Sequence, residues 1–320
     1  MAGKGPGKHY RQGITLVQLA DMFPDDATAQ AWFERQRWPN GPFCPRCGTF
    51  NVQADIKHKT MTHRCRDCSN KAMFTLRTGT PLEGSKVGYR KWAFAIYLLT
   101  TGIKGTSSLK LHRDIGVTQK TAWFMMHRLR TALKAKTEPF TGPVEADETY
   151  VGGKEANKHA SRKLYAGGGT VGKTAVAGVK DRATGQVNAQ VVPDTTGATL
   201  RGFVRDHTHP GALVYTDEAL AYRGLPYHEA VKHSVSEWVN DQAHTNGLES
   251  FWSLLKRGYH GTYHHMSPKH LDRYVGEFTG RYNDRDDDTI DQMRAIVRGM
   301  AGQRLRYDDL IAGGPAYPRS

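Results

Sequence analysis

The stretch VEADETYV, Val144 to Val151, alternates as a half-buried strand does and carries a carboxylate, Asp147, at its middle. Period-two geometry puts Val144, Ala146 and Glu148 on one face, and Glu145, Asp147 and Thr149 on the other. An unpaired carboxylate is costly to bury, so Asp147 either meets a cation or reaches solvent at an edge. Working outward, Thr174 to Lys180 and Gln186 to Val192 flank Asp181-Arg182-Ala183-Thr184-Gly185 as a hairpin. A helix capped by Thr196 runs to His207, with Leu200, Phe203 and Val204 along one side. Ala212 to Tyr215 is a short buried strand ending at Thr216-Asp217, and His228 to Ser234 offers another. Strands interleaved with helices in this way predict an α/β layer fold.

Two more acids stand where they would be useful. Asp217 ends an apolar strand where the chain leaves the sheet, the usual location of ligand sites in α/β proteins, although it could equally cap a helix starting at Glu218. Glu249 lies in HTNGLESFWSLLK, His244 to Lys256, where Leu248, Phe251, Trp252 and Leu255 form the buried stripe of a helix. Glu249, Ser253 and Lys256 recur on another face, which could be no more than a solvated one. Taken together, the three acids suit a pair of divalent cations about 4 Å apart, as phosphodiester cleavage requires. Hard cations take carboxylate oxygens, and magnesium needs only one or two protein carboxylates per ion.

Upstream, Cys44-Pro45-Arg46-Cys47 and Cys65-Arg66-Asp67-Cys68 form two CxxC pairs separated by seventeen residues. This is the spacing of a zinc ribbon, with one structural Zn²⁺ held by Cys44, Cys47, Cys65 and Cys68. The alternatives are two disulfides or four unrelated buried thiols. Short helices precede the ribbon, one through Leu16, Leu19, Ala20 and Phe23, and a second capped by Asp26 or Thr28. After it, Tyr89 to Leu99 reads as a helix, followed by a helix from Ser107 to Asp114, a break at Gly116, and a helix capped by Thr118 and running through Arg130. That is a helix-turn-helix pattern. The last helix is expected to expose Gln119, Lys120 and Arg128 to DNA, although the same unit could be purely structural.

The boundaries this reading gives are a helical segment over 1–40, a zinc ribbon over 41–82, a helix-turn-helix-like region over 87–135, an α/β domain over 141–290 and a tail over 291–320. Residues 152–173, rich in Gly, Lys and His, read as a mobile, positively charged loop. The chain has 320 residues, and its 45 Lys+Arg against 31 Asp+Glu give a formal net charge of +14, which favours a polyanionic partner. No apolar run approaches the ~20 residues needed to span a bilayer, and Met1-Ala2-Gly3-Lys4 leads into no apolar signal core. No membrane partner and a cytoplasmic location are therefore expected.

The knuckles CPRCG and CRDC, the contexts ADETYVGGKE and VYTDEA, and the stretch HTNGLESFWSLLKRGYHGTYHHMSPKHLDRYV together resemble a family, the bacterial insertion-sequence DDE transposases of the ISXO2-like type. The resemblance implies an RNase H-like catalytic core, a mixed five-stranded sheet with helices, behind the ribbon and the helix-turn-helix-like region. It implies Asp147, Asp217 and Glu249 as catalytic acids holding two Mg²⁺ or Mn²⁺ ions, and Lys256 as the basic residue seven positions after the glutamate. Some relatives use an asparagine as third ligand, which makes Asn246 the alternative to Glu249. The implied reaction is hydrolysis at the ends of a mobile element followed by strand transfer, carried out by a homo-oligomer on double-stranded DNA, transposon ends and target alike. Arg257, His260, His264, His265 and Lys269 would extend the phosphate-contacting flank from Lys256, and His244 would assist near the phosphate. The rival readings are a zinc-dependent DNA-binding regulator without catalysis and an RNase H-like nuclease that cuts without joining.

Overall fold

A computed structural model describes residues 12–133, 138–153, 155–157, 159–164, 169–217, 220–230 and 246–312. These fall into two compact units, one made of residues up to 133 together with 284–312, the other running to 283.

In the first unit, α1 (Leu16–Met22) opens with a capping box between Thr15 and Gln18. α2 (Asp26–Arg37) is capped by Asp25, whose side chain accepts from the Thr28 amide at 2.7 Å, so the cap sits one residue before the expected Asp26. The ribbon strands β1 (Val52–Gln53), β2 (His63–Cys65) and β3 (Met73–Phe74) form a small antiparallel sheet. α3 (Tyr89–Thr101) follows, then α4 (Ser108–Ile115) and α5 (Gln119–Leu133). Ser107 caps α4, and Gly116 closes it at φ 59°, the left-handed backbone that ends a helix at little cost to glycine. Thr118 takes the Thr121 amide at the start of α5.

The boundaries at the end of the chain differ from the expected ones. α9 (Thr289–Gly299) and α10 (Tyr307–Ile311) belong to the first unit, and Met293, Ile296, Val297 and Met300 lie in one buried cluster with Phe33, Trp92, Leu129, Cys44 and Phe74. Residues 284–290 therefore do not close the α/β domain, and the described residues 291–312 are no tail. The cause is apolar: α9 presents a stripe that the N-terminal helices bury. Ribbon and helices likewise share this cluster instead of forming separate modules.

In the second unit, β4 (Val144–Val151), β5 (Thr174–Asp181), β6 (Val187–Val191), β7 (Val214–Thr216) and β8 (His228–Ala230) make a mixed sheet in the order β6-β5-β4-β7-β8. β5 is antiparallel to β4 and β6, while β4, β7 and β8 run parallel. This is the strand order of an RNase H-like core, with β4 at its centre. One face packs α6 (Gly197–His207) through Leu200, Phe203 and Val204 onto Val144, Ala146 and Val179. The other packs α7 (Asn246–Gly258) and α8 (Pro268–Asn283) through Leu248, Phe251, Trp252, Leu255 and Phe278 onto Val151, Val176 and Val187. Each such large side chain contributes roughly 1.5–3 kcal/mol on full burial. The continuation of β8 to Ser234 and the position of His244 lie outside the described residues. Among the described residues, no helix is long and apolar enough to cross a membrane.

Candidate functional site

The three carboxylates of β4 each have a separate partner, as the alternation of the strand dictates. Glu145, 3% exposed, turns to the α7 face, where its Oε2 accepts the Gly247 amide at 3.0 Å and the Leu248 amide at 3.3 Å, and its Oε1 accepts Arg182 Nε at 3.1 Å. Asp147 turns the same way, with Trp252 Nε1 donating to its Oδ2 at 2.9 Å and the Glu148 amide to its Oδ1 at 2.8 Å. Glu148 turns to the α6 face and accepts the hydroxyl of buried Tyr222 at 2.7 Å.

Asp217 follows the end of β7, which runs parallel to β4 with Val144 opposite Val214 and Glu145 opposite Tyr215. Two further steps in that register bring Asp217 level with Asp147. The electrostatics agree. Burial pushes the Asp147 carboxyl up to about 6 against the pull of the Trp252 and Glu148 hydrogen bonds, and the charges of Glu148 and Asp217 add to the rise. Burial also raises Glu148, which again feels Asp217. Buried Tyr222 is held well above the usual phenol range by burial first and then by Glu148, Asp147 and Asp217. Thr216, fully buried, fastens this corner by donating its hydroxyl to the Asp217 carbonyl at 2.7 Å while lying 2.7 Å from His228 Nε2.

Glu249 is exposed on α7, three residues before Trp252, and exposed Lys256 stands four residues after it. Both therefore flank the side chain that bonds Asp147. The structure brings Asp147, Glu148 and Asp217 into mutual electrostatic range, and it does not draw Glu249 into a closed cage with them. Among the described residues, the four cysteines are the one group of three or more ligand-type side chains with ligand atoms within 4.8 Å of one another. The donor set around Asp147 nevertheless fits hard divalent cations, because it offers carboxylate oxygens in a partly buried place where like charges add to the rise of Asp147 and Glu148. Asn246 opens α7, and the amides after it are taken by Glu145.

In the ribbon, all four cysteines are free thiols, with Cys47 Sγ 3.6 Å from Cys65 Sγ and 3.5 Å from Cys68 Sγ, and Cys44 Sγ 3.9 Å from Cys68 Sγ. A tetrahedron with Zn–S bonds of about 2.3 Å has edges of about 3.8 Å, so the four thiols fit one zinc. Burial works to raise the Cys44 thiol, but the Cys47 and Arg46 amides outweigh it and bring the group down to about 7, while hydrogen bonding with Cys47 and Cys65 pushes the Cys68 thiol up to about 12. His63 is packed between Trp38 and Phe74 and is no part of this set.

Residues 139–283 match the model of the ISXO2-like transposase domain, and residues 24–71 match that of the transposase zinc-ribbon domain. The chain is 34% identical over 236 residues, 69% of its own length and 79% of the relative's, to a protein in transposable element ISH50 of Halobacterium salinarum. The chain belongs to the ISXO2-like transposase family. It is also 27% identical over 119 residues, 36% of its length and 95% of the other's, to a transposase-like protein of Haemophilus influenzae. The matched catalytic-type domain coincides with the second structural unit.

Elsewhere in this DDE-type transposase, one expected DNA-facing residue is misplaced. Arg128 is 7% exposed, its guanidinium stacks 4.0 Å over the Phe124 ring, and its Nη2 donates to the Glu83 carbonyl. Burial pushes it down to about 10. α5 is buried continuously from Met125 to Arg130, so Arg128 is part of the core and presents nothing to a groove. Gln119 and Lys120 are exposed at the start of α5, Gln119 bonded to Ser108 and Lys120 over the Tyr307 ring at 4.8 Å. Past Lys256, the exposed Arg257, His260, His264 and His265 and the half-buried Lys269 spread over the end of α7, a π-helical turn (Tyr259–Tyr263) and the start of α8.

Sequence reasoning did not single out Glu145, Glu148, Tyr222 or Gly178. Gly178 pairs with Asp147 across β4 and β5, and a Cβ there would stand 2.7 Å from the Trp252 ring. The one available signal was a glycine in the middle of a strand, which marks close approach by another group.

Proposed function

We propose that this transposase binds the ends of its insertion sequence and catalyses metal-dependent DNA strand cleavage and strand transfer through Asp147, Asp217 and Glu249. The observation that carries the reading is the junction at Asp147: Asp217 comes level with it from β7, and Trp252 ties it to the helix that carries Glu249 and Lys256. Asp147, Asp217 and Glu249 would hold a pair of Mg²⁺ or Mn²⁺ ions, which when bound would activate the attacking oxygen and stabilise the leaving oxygen of an in-line phosphoryl transfer. The protein's part is orientation. Trp252 and the Glu148 amide fix the Asp147 carboxylate, Thr216 fixes the backbone at Asp217, and α7 carries Glu249 and Lys256 about two turns apart on one side. Lys256 and Arg257 contact the phosphodiester backbone near the acids, while Gln119 and Lys120 engage the element's ends. Double-stranded DNA is the partner, and holding two ends calls for a homo-oligomer.

The test incubates the protein and Mg²⁺ with DNA carrying its element's ends and resolves cut and joined products on gels. Asp147→Ala, Asp217→Ala and Glu249→Ala are each expected to reduce both products by at least about a hundredfold without loss of DNA binding. Transfer retained in any of them removes that residue from the site. Asn246→Ala, expected to stay active, decides the third ligand. Cutting without joining by the wild type would identify a nuclease, and binding without cutting a regulator.

A further inference from the structure

We infer that Glu145 is a positioning residue that sets the place of Glu249 relative to Asp147 by clamping the first turn of α7 onto β4. The inference rests on the catalytic reading of Glu249. Glu145 is a carboxylate on the central strand, with a side chain 4% exposed, where an apolar residue of similar size would be easier to bury. Its bonds explain its presence there. The two amides it accepts, Gly247 and Leu248, immediately precede Glu249, at the helix end whose dipole favours a negative charge. A local side-chain cap could satisfy such amides without connecting the helix to anything. A cap supplied by β4 satisfies them and also joins the helix to the strand bearing Asp147.

The surroundings are built around this contact. A Cβ on Gly247 would stand 2.6 Å from both Glu145 Oε2 and Lys180 Nζ, so a larger residue there would have to displace one of these side chains from the contact. Arg182 holds the other oxygen at 3.1 Å and lies 3.8 Å over the ring of Tyr215, on the strand that leads to Asp217. Glu145 and Arg182 thus link the elements of all three acids. Trp252 supplies the second anchor, so α7 is pinned to β4 on both sides of Glu249 along its length. Groups that orient metal ligands without touching the metal change metal affinity by roughly 10–100-fold when altered.

The experiment uses the full chain with Glu145→Asp, which keeps the charge but shortens the reach, and Glu145→Gln, which keeps the length and one acceptor oxygen. Two readouts are taken: hydrogen exchange at the 247 and 248 amides in metal-free protein, and Mn²⁺ titration by calorimetry. The Asp variant is expected to lose protection at those amides and to weaken Mn²⁺ binding about tenfold or more, with the Gln variant recovering most of both. Loosened amides with unchanged Mn²⁺ affinity in the Asp variant, or amides that stay protected, would overturn the inference. Glu249→Ala serves as the reference: if it binds Mn²⁺ and transfers strands as wild type does, the catalytic reading of Glu249 fails, whereas the exchange data still report the clamp.

Discussion

Asp147 is charged at a cost, and that cost gives it a pH signature. In the folded chain its carboxyl holds a proton up to about pH 6, because burial outweighs its two hydrogen bonds. In the unfolded chain an aspartate releases its proton near about 3.9. The native state thus binds more protons across that window, and this group's contribution to stability falls as pH rises through it. Asp147→Asn does not titrate, so in metal-free buffer it should gain up to about 3 kcal/mol relative to wild type between about pH 4 and pH 7, measured by urea unfolding. Arg128 makes the opposite case, a charge retained for packing. Arg128→Ala is expected to destabilise the fold by about 1–3 kcal/mol while leaving the affinity of the folded protein for DNA unchanged, whereas Lys120→Ala weakens binding and reduces its salt dependence. Asp147 stood out in the sequence because it interrupts an apolar strand pattern and Asp217 because it ends one, whereas Glu249 lies on the polar face of its helix and stood out only beside the other two and by resemblance. Arg128 was misjudged because helical spacing alone does not reveal how many faces of α5 are covered.

Among elements, the contact between α7 and the β4–β5 pair matters most. The Trp252 ring comes so close to the sheet because Gly178 has no side chain, a Cβ there standing 2.7 Å from it, and its indole reaches Asp147. Gly178→Ala is expected to cost about 1–3 kcal/mol by overpacking and to lower strand transfer by displacing the Asp147 partner. Thermal unfolding together with indole fluorescence would follow both effects; a variant with wild-type stability and activity would show that the ring has room to move. The elements themselves were readable from periodicity: the 174–192 hairpin, the helix after Thr196 and the buried stripe of α7 all form near their expected bounds. Their docking was not readable, since the Glu145 cap of α7 joins residues about a hundred positions apart and leaves no local trace.

At the scale of the molecule, the ribbon is not an appendage. Cys44 and Cys65 lie in the same buried cluster as Trp92, Leu129 and Met293. Stripping the zinc should therefore loosen the helices of that unit along with the ribbon, seen as loss of helical circular dichroism on chelation and recovery on adding one zinc per chain. Helical signal that survives metal removal would show the cluster to be self-sufficient. The return of residues 284–312 to the N-terminal unit escaped sequence reading because nothing in the periodicity of α9 names the surface that covers it.

That return also sets an order of events during synthesis. Met293, Ile296 and Val297 leave the ribosome only after the whole α/β unit has been translated, so the N-terminal unit waits with part of its interior uncovered. A message cut short anywhere before α9 would yield an N-terminal unit whose buried cluster lacks Met293, Ile296 and Val297, and so one less stable than the complete unit.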